Sequence, residues 1–244
     1  MLRQKNSIGK SVLLYRRILC RKGHGVHSPF VYNLITKVIE ESRPYYCFAD
    51  IELLRKRLLL KENPFARLVA QEAIRPKQGA LLFRLSQHFR ARHILQIGSS
   101  MGLSTLYLTA YTQGVQCIAL EKRPEHASIA RWVYAQAART PIDLRLGDYA
   151  TLLPCALEQL GTVDFVFFNT RREASNQALF QTCAAYAKAD TVFVFEGIKA
   201  NRAMRELWKT VCADPQVSVT LDLYSMGIVF FNKKWHKRNY TVYF

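Results

Sequence analysis

The chain has 244 residues, 50% hydrophobic and 22% charged, a composition that buries a full core and excludes intrinsic disorder and collagen-like repeats. Its formal charge of +17 is unevenly placed: residues 1–92 hold 19 Lys or Arg against 6 Asp or Glu, residues 93–232 hold 12 of each, and the last twelve hold 4 basic residues and no acid. A neutral centre thus carries two basic flanks, which suit either a solvated surface or one facing RNA or an anionic membrane surface.

The six cysteines, at 20, 47, 117, 155, 183 and 212, lie at least 27 residues apart and form no C-x-x-C pair. That spacing argues against a disulfide framework and a zinc knuckle, and predicts a reducing, cytoplasmic compartment. No run approaches the roughly 18 apolar residues of a membrane span, and the early run from Ser11 to Cys20 is broken by Arg16 and Arg17. No transmembrane segment and no secretory signal are expected.

In chain order, Ile8, Val12, Tyr15, Ile18 and Leu19 recur at helical spacing among Lys10, Arg16, Arg17, Arg21 and Lys22, predicting a basic amphipathic helix. Such a helix packs on the domain that follows or lies on lipid or nucleic acid. Gly23 to His27 breaks it, and Ser28-Pro29 before Phe30 is a helix start with a capping hydroxyl and proline at the first helical position. Further helices are predicted from Phe30 to Glu41, Asp50 to Lys61 and Gly79 to Arg90, so residues 1–92 read as a helical basic cap.

Beyond a boundary near Arg90 to Arg92, residues 93–244 alternate strand-length apolar runs with amphipathic stretches. Seven strands are predicted: His93 to Ile97, Val115 to Leu120, Ile142 to Leu146, Val163 to Phe168, Thr191 to Phe195, Val217 to Leu223 and Gly227 to Phe231. Helical segments separate the first five, as parallel right-handed crossovers require, and the last two are close enough to form an antiparallel hairpin. The helix Asn201 to Cys212 carries Trp208 as a core residue.

Ligands of an open parallel sheet bind beyond the carboxyl ends of its strands. After the first strand the run Gly98-Ser99-Ser100-Met101-Gly102, with Ser104 and Thr105, offers two glycines for a sharp turn and hydroxyls and amides as donors. It is neither G-x-G-x-x-G nor a phosphate loop. Glu121 follows the second strand, where a carboxylate accepts from a ribose diol, and Asp148 follows the third, where it accepts from an exocyclic amine. At three successive strand ends these residues describe a nucleoside pocket.

The chain resembles the class I S-adenosylmethionine-dependent methyltransferases, in particular bacterial O-methyltransferase-like proteins. The resemblance runs through H-G-V-H-S-P-F at 24–30, I-L-Q-I-G-S-S-M-G-L-S-T at 94–105, A-L-E-K-R-P at 119–124, L-G-D-Y at 146–149, V-D-F-V-F-F-N at 163–169 and G-I-V-F-F at 227–231. It implies an α/β Rossmann-like fold, with a seven-stranded, mostly parallel sheet, an antiparallel C-terminal hairpin at one edge and a helical N-terminal cap. It also implies S-adenosylmethionine as cofactor, contacted by the Gly98 to Gly102 loop and Ser104, with Glu121 on the ribose and Asp148 on the adenine side.

Three departures stand out. Gln96 stands two residues before the first glycine, where the family normally ends its first strand in an acid, which weakens the usual support for the cofactor's ammonium. Where metal-dependent members place an Asp after the fourth strand and an Asp-Asn or Asp-Asp pair after the fifth, this chain has Asn169, then Thr170-Arg171-Arg172, and Glu196-Gly197. Magnesium prefers hard anionic oxygens, so no catalytic metal is expected. The Gly-rich segment of related proteins is also missing at Leu60 to Pro64.

Methyl transfer is an in-line displacement in which positioning supplies much of the acceleration, with a base needed only if the acceptor loses a proton. The candidate catalytic residues are His27, with His24 beside it, Glu196 and Asn169, while Arg171 and Arg172 suit an anionic acceptor. Two functions follow: a methyltransferase acting on an unidentified acceptor, or a catalytically degenerate member that binds or scaffolds RNA or an anionic surface.

Overall fold

The computed structural model describes residues 20, 22–137 and 142–244. The basic helix expected over Ile8 to Lys22 lies outside the described residues, except for Cys20 and for Lys22, which sits in a turn at φ 54. Helix α1 (Pro29–Leu34) starts where Ser28 accepts from the amide of Val31 and ends in a π turn over Ile35–Ile39. The buried guanidinium of Arg84 caps that turn, donating from Nε to the carbonyl of Val38 at 2.6 Å and from Nη2 to that of Ile39 at 3.3 Å. Helices α2 (Tyr46–Leu58), α3 (Ala66–Glu72) and α4 (Pro76–His88) follow. The short α3 answers to no sequence expectation, and α2 and α4 begin three or four residues earlier than predicted.

From His93 the chain alternates strand and helix: β1 (His93–Ile97), α5 (Leu103–Thr109), β2 (Gln116–Glu121), α6 (Pro124–Ala137), β3 (Ile142–Leu146), α7 (Tyr149–Leu160), β4 (Phe165–Phe168), α8 (Asn176–Ala184), β5 (Val192–Glu196), α9 (Arg202–Ala213), β6 (Val219–Asp222) and β7 (Met226–Phe230). An eighth strand, β8 (Arg238–Thr241), corrects the expected seven. The sheet order is β3-β2-β1-β4-β5-β7-β6-β8, with β1 to β5 mutually parallel, β7 antiparallel to both β5 and β6, and β8 parallel to β6. The hairpin is therefore not the sheet edge: β8 covers it, presenting mostly exposed polar residues outward, as edge strands do.

Alternation along the strands feeds two cores. Ile94, Phe165, Phe167, Val192, Val194 and Ile228 face α1, α2, α4 and α5, whereas Leu95, Ile97, Val166, Phe168, Phe193 and Val229 face α7, α8 and α9. The first 92 residues thus contribute helices to one continuous face of the sheet. Trp208 of α9 is buried as expected and lies against Gly227 of β7, where an added Cβ would run into the indole. Gly227→Ala is expected to cost about 1–3 kcal/mol by overpacking, read by urea unfolding. The penalty should shrink in a Trp208→Leu background.

Candidate functional site

A cleft of about 660 Å³ opens at the carboxyl ends of β1, β2 and β4, within the volume range of small-molecule sites. It lies where the strand order reverses, between β1 and β4. Gly98 and Ser100 of the β1–α5 loop, Glu121 to Arg123 after β2, His126 of α6, Tyr149 of α7 and Asn169 to Glu173 after β4 line it. Gln71 and Glu72 of α3 and Ala200 and Asn201 before α9 complete it.

Glu121, only 2% exposed, holds the base of the cleft together. Its Oε2 accepts from the amide of Ser100 at 2.6 Å, and its Oε1 accepts from the amides of Lys122 and Arg123, both at 3.0 Å. Burial raises the carboxyl above its ordinary range, against the pull of those three amides. Gly98 has φ 82, which favours glycine, and a Cβ there would overlap the carbonyl oxygen of Asn169. Its conformation therefore lets the β1 and β4 loops close on one another.

The remaining loop residues face inward and bond within the protein. The amides of Gly98 and Ser99 both donate to the carbonyl of Leu120, at 2.9 and 2.8 Å, and that of Gly102 donates to Ser99 at 3.2 Å. The hydroxyl of Ser99, fully buried, lies 2.7 Å from that of Tyr134, which also meets Thr105 Oγ1 at 2.8 Å. Gln96 is fully buried too: its Nε2 donates to the carbonyl of Gly98 at 3.0 Å and to Ser104 Oγ at 2.8 Å, while its Oε1 accepts from Thr105 Oγ1 at 2.9 Å. Gln96, Ser99 and Ser104 thus brace the loop from behind. Gly102, at φ 83, packs against Tyr134 and Ala130.

Asp148 caps α7, accepting from the amide of Ala150 at 3.0 Å, and lies 3.4 Å from Nζ of Lys122. That ammonium holds its carboxyl below the ordinary range. Lys122 reaches Glu173 as well, at 3.3 Å, so it links the β2, β3 and β4 ends. Glu196, 4% exposed, sits beneath Arg171, whose Nε is 3.3 Å from Oε2, at ion-pair distance but out of line for a hydrogen bond. Burial raises the Glu196 carboxyl, while Arg171 and then Arg75 oppose the shift. Asn169 lines the cleft.

His27 lies away from the cleft. It is exposed and precedes α1, whose Phe30 stacks on Trp235 at 4.0 Å and meets Phe230 edge-on at 5.2 Å. Phe230 pairs with Val192, the first residue of β5, so this region covers the amino ends of the parallel strands, opposite the cleft. His24 is likewise exposed in the preceding turn.

Sequence reasoning missed Glu72 and His126. Glu72 accepts from Arg123 Nη2 at 2.5 Å and lies 3.8 Å from Arg172, and the Arg123 bond lowers its carboxyl. His126, 1% exposed, stands between Glu72 and Glu121. Pro124 at the first position of α6 was the available signal, because it puts His126 in the first turn of the helix that follows Glu121. Among the described residues no group of three or more His, Cys, Asp or Glu is placed to hold a metal ion, and no helix is long and apolar enough to cross a membrane.

No protein-family model matches the chain. It is similar to a catechol O-methyltransferase of Niastella koreensis, 27% identical over 129 residues that make up 52% of this chain and 58% of that protein. It is also similar to a catechol O-methyltransferase of Mycobacterium tuberculosis, 30% identical over 161 residues that make up 61% of this chain and 71% of that protein. The chain therefore spans less than two thirds of the first relative and just over two thirds of the second. Its fold matches that of the O-methyltransferase from Bacillus cereus in complex with S-adenosylhomocysteine, with TM-score 0.55 and 20% identity over 82% of this chain and 97% of that one.

Burial, then the nearby Arg123 charge, lowers the His126 pKa from 6.5 to about 4, against the opposing effect of Glu72. The unfolded chain therefore takes up a proton near pH 6.5 that the folded chain refuses until about pH 4, so stability falls as pH drops through that window. At about 1.4 kcal/mol per pKa unit, the loss attributable to this ring is about 3 kcal/mol. Urea unfolding should show the wild-type chain losing that much against His126→Gln between pH 7 and pH 4. Parallel curves would contradict it.

Proposed function

The chain belongs to the class I S-adenosylmethionine-dependent O-methyltransferase-like family, and on that premise we propose that it transfers a methyl group from S-adenosylmethionine to an oxygen of an acceptor without a divalent cation. The observation that carries the cofactor is Glu121. A carboxylate has about four acceptor positions, and the amides of Ser100, Lys122 and Arg123 take three, leaving one at the cleft for a ribose hydroxyl. The cleft's volume and its place at the reversal of strand order fit the same ligand. When bound, the cofactor supplies an electrophilic methyl group.

Gly98 and Ser100 shape the floor beneath the ligand, and Gln96, Ser99, Ser104 and Gly102 hold that floor rigid. Asp148, 3.4 Å from the cleft residue Lys122, accepts from the adenine amine. Asn169 orients the acceptor oxygen through its amide, and Glu196 Oε2 takes the acceptor's proton. Burial raises the Glu196 carboxyl, which suits a general base, and the Arg171 charge opposes that rise. Arg171 also places a fixed cation above Glu196, at the β5 end where metal-dependent relatives carry carboxylates. A lone carboxylate beside an amide and a guanidinium is a poor divalent-cation site.

Calorimetric titration with S-adenosylmethionine and S-adenosylhomocysteine tests this reading. Glu121→Gln keeps the side-chain size and removes the charge. Loss of a hydrogen bond to a charged group costs about 1.5–3 kcal/mol, so binding should weaken about 10- to 100-fold while the melting temperature still reports a folded chain. No binding to the wild-type chain, or equal binding by the variant, would contradict the cofactor site. The acceptor screen should include anionic small molecules and RNA, because Lys and Arg exceed Asp and Glu by 13 within residues 1–92.

A further inference from the structure

His126 is 1% exposed, yet neither ring nitrogen has a hydrogen-bond partner. Nε2 lies 3.6 Å from Glu72 Oε2 and Nδ1 lies 3.9 Å from Glu121 Oε1, both beyond hydrogen-bond reach. The same Glu72 oxygen accepts from Arg123 Nη2 at 2.5 Å, so it is engaged by the guanidinium and not by the ring. Buried polar atoms without partners are rare in folded proteins and costly to keep. These two belong to a ring that lines the cleft.

We propose that His126 is a ligand-binding residue that hydrogen-bonds a hydroxyl of the vicinal diol held by Glu121, an assignment that rests on the nucleoside reading of the cleft. The chemistry of the two protein groups selects the ligand group. An ionised carboxylate only accepts, whereas a neutral imidazole offers one N–H and one lone pair. A group held by Glu121 at its one remaining acceptor position, on Oε2, and by a ring nitrogen of His126 must donate to the first and accept from the second. An alcohol does both. An ammonium does not accept, and carbonyl, phosphate and carboxylate groups do not donate. The second ring nitrogen remains for the neighbouring hydroxyl or for water, which is why a diol fits better than a single alcohol. His126 remains neutral throughout the physiological range, as this arrangement requires.

The test is calorimetry with S-adenosylhomocysteine and its 2′-deoxy and 3′-deoxy ribose analogues, on the wild-type chain, His126→Ala and His126→Gln. His126→Ala should bind S-adenosylhomocysteine about tenfold more weakly, the equivalent of one neutral hydrogen bond. His126→Gln, whose amide both donates and accepts, should recover most of that loss. One of the two deoxy analogues should bind the wild-type chain about tenfold more weakly than the parent, and that penalty should vanish in His126→Ala, the signature of a direct pair. If His126→Ala fails to fold, His126→Asn, whose amide is shorter, replaces it in the same comparison. Unchanged affinity in the variant, or a deoxy penalty that persists in it, would overturn this inference while leaving the cofactor reading intact. No binding of S-adenosylhomocysteine to the wild-type chain would overturn both.

Discussion

The site depends on one buried carboxylate. Glu121 collects the amide of Ser100 from the β1–α5 loop and the amides of Lys122 and Arg123 from the turn into α6, so two loops from neighbouring strands share one acceptor. Burying a charge costs several kcal/mol, and hydrogen bonds to charged groups return about 1.5–3 kcal/mol each. The balance favours a loop fixed before any ligand arrives. Ser100 sits at φ 52, a left-handed conformation uncommon outside glycine, and its bond to Glu121 is what holds it there.

A second tier stands behind the first. Gln96, Ser99, Ser104, Thr105 and Tyr134 form a buried polar cluster in which each member reaches another or the loop backbone. Networks of this kind favour a single geometry when fully satisfied. By contrast, both nitrogens of His126, which lines the cleft, and Oε2 of Glu196, beneath the cleft residue Arg171, have no hydrogen-bond partner within the chain.

Much of the fold was legible from the sequence because its strands are short apolar runs bounded by turns. β1 and β3 match expectation to the residue, and the others differ by at most two positions at either end. β8 escaped because Arg238-Asn239-Tyr240-Thr241 is polar and mostly exposed, so it has no apolar alternation to read. At the site, position after a strand correctly brought Glu121 and Asn169 to one cleft. Side-chain direction was not legible. Ser99 turns inward only because Tyr134, far along the chain, waits there, and Gln96 is taken up by Ser104 and Thr105. His27 shows the same limit at larger scale: a helix start is written locally, but the end of the sheet that it covers is decided by Phe30 meeting Phe230 and Trp235. Glu72 reaches the cleft through the packing of α3, for which no local signal exists.

The central claim is that Glu121 fixes the cleft in advance of the ligand. Amide hydrogen exchange at Ser100, Lys122 and Arg123, resolved by NMR with and without S-adenosylhomocysteine, tests it most directly. The account predicts that all three amides are strongly protected in the ligand-free chain and gain little on binding. Rapid exchange without ligand, followed by protection only in the complex, would mean that the ligand builds the site and would contradict it.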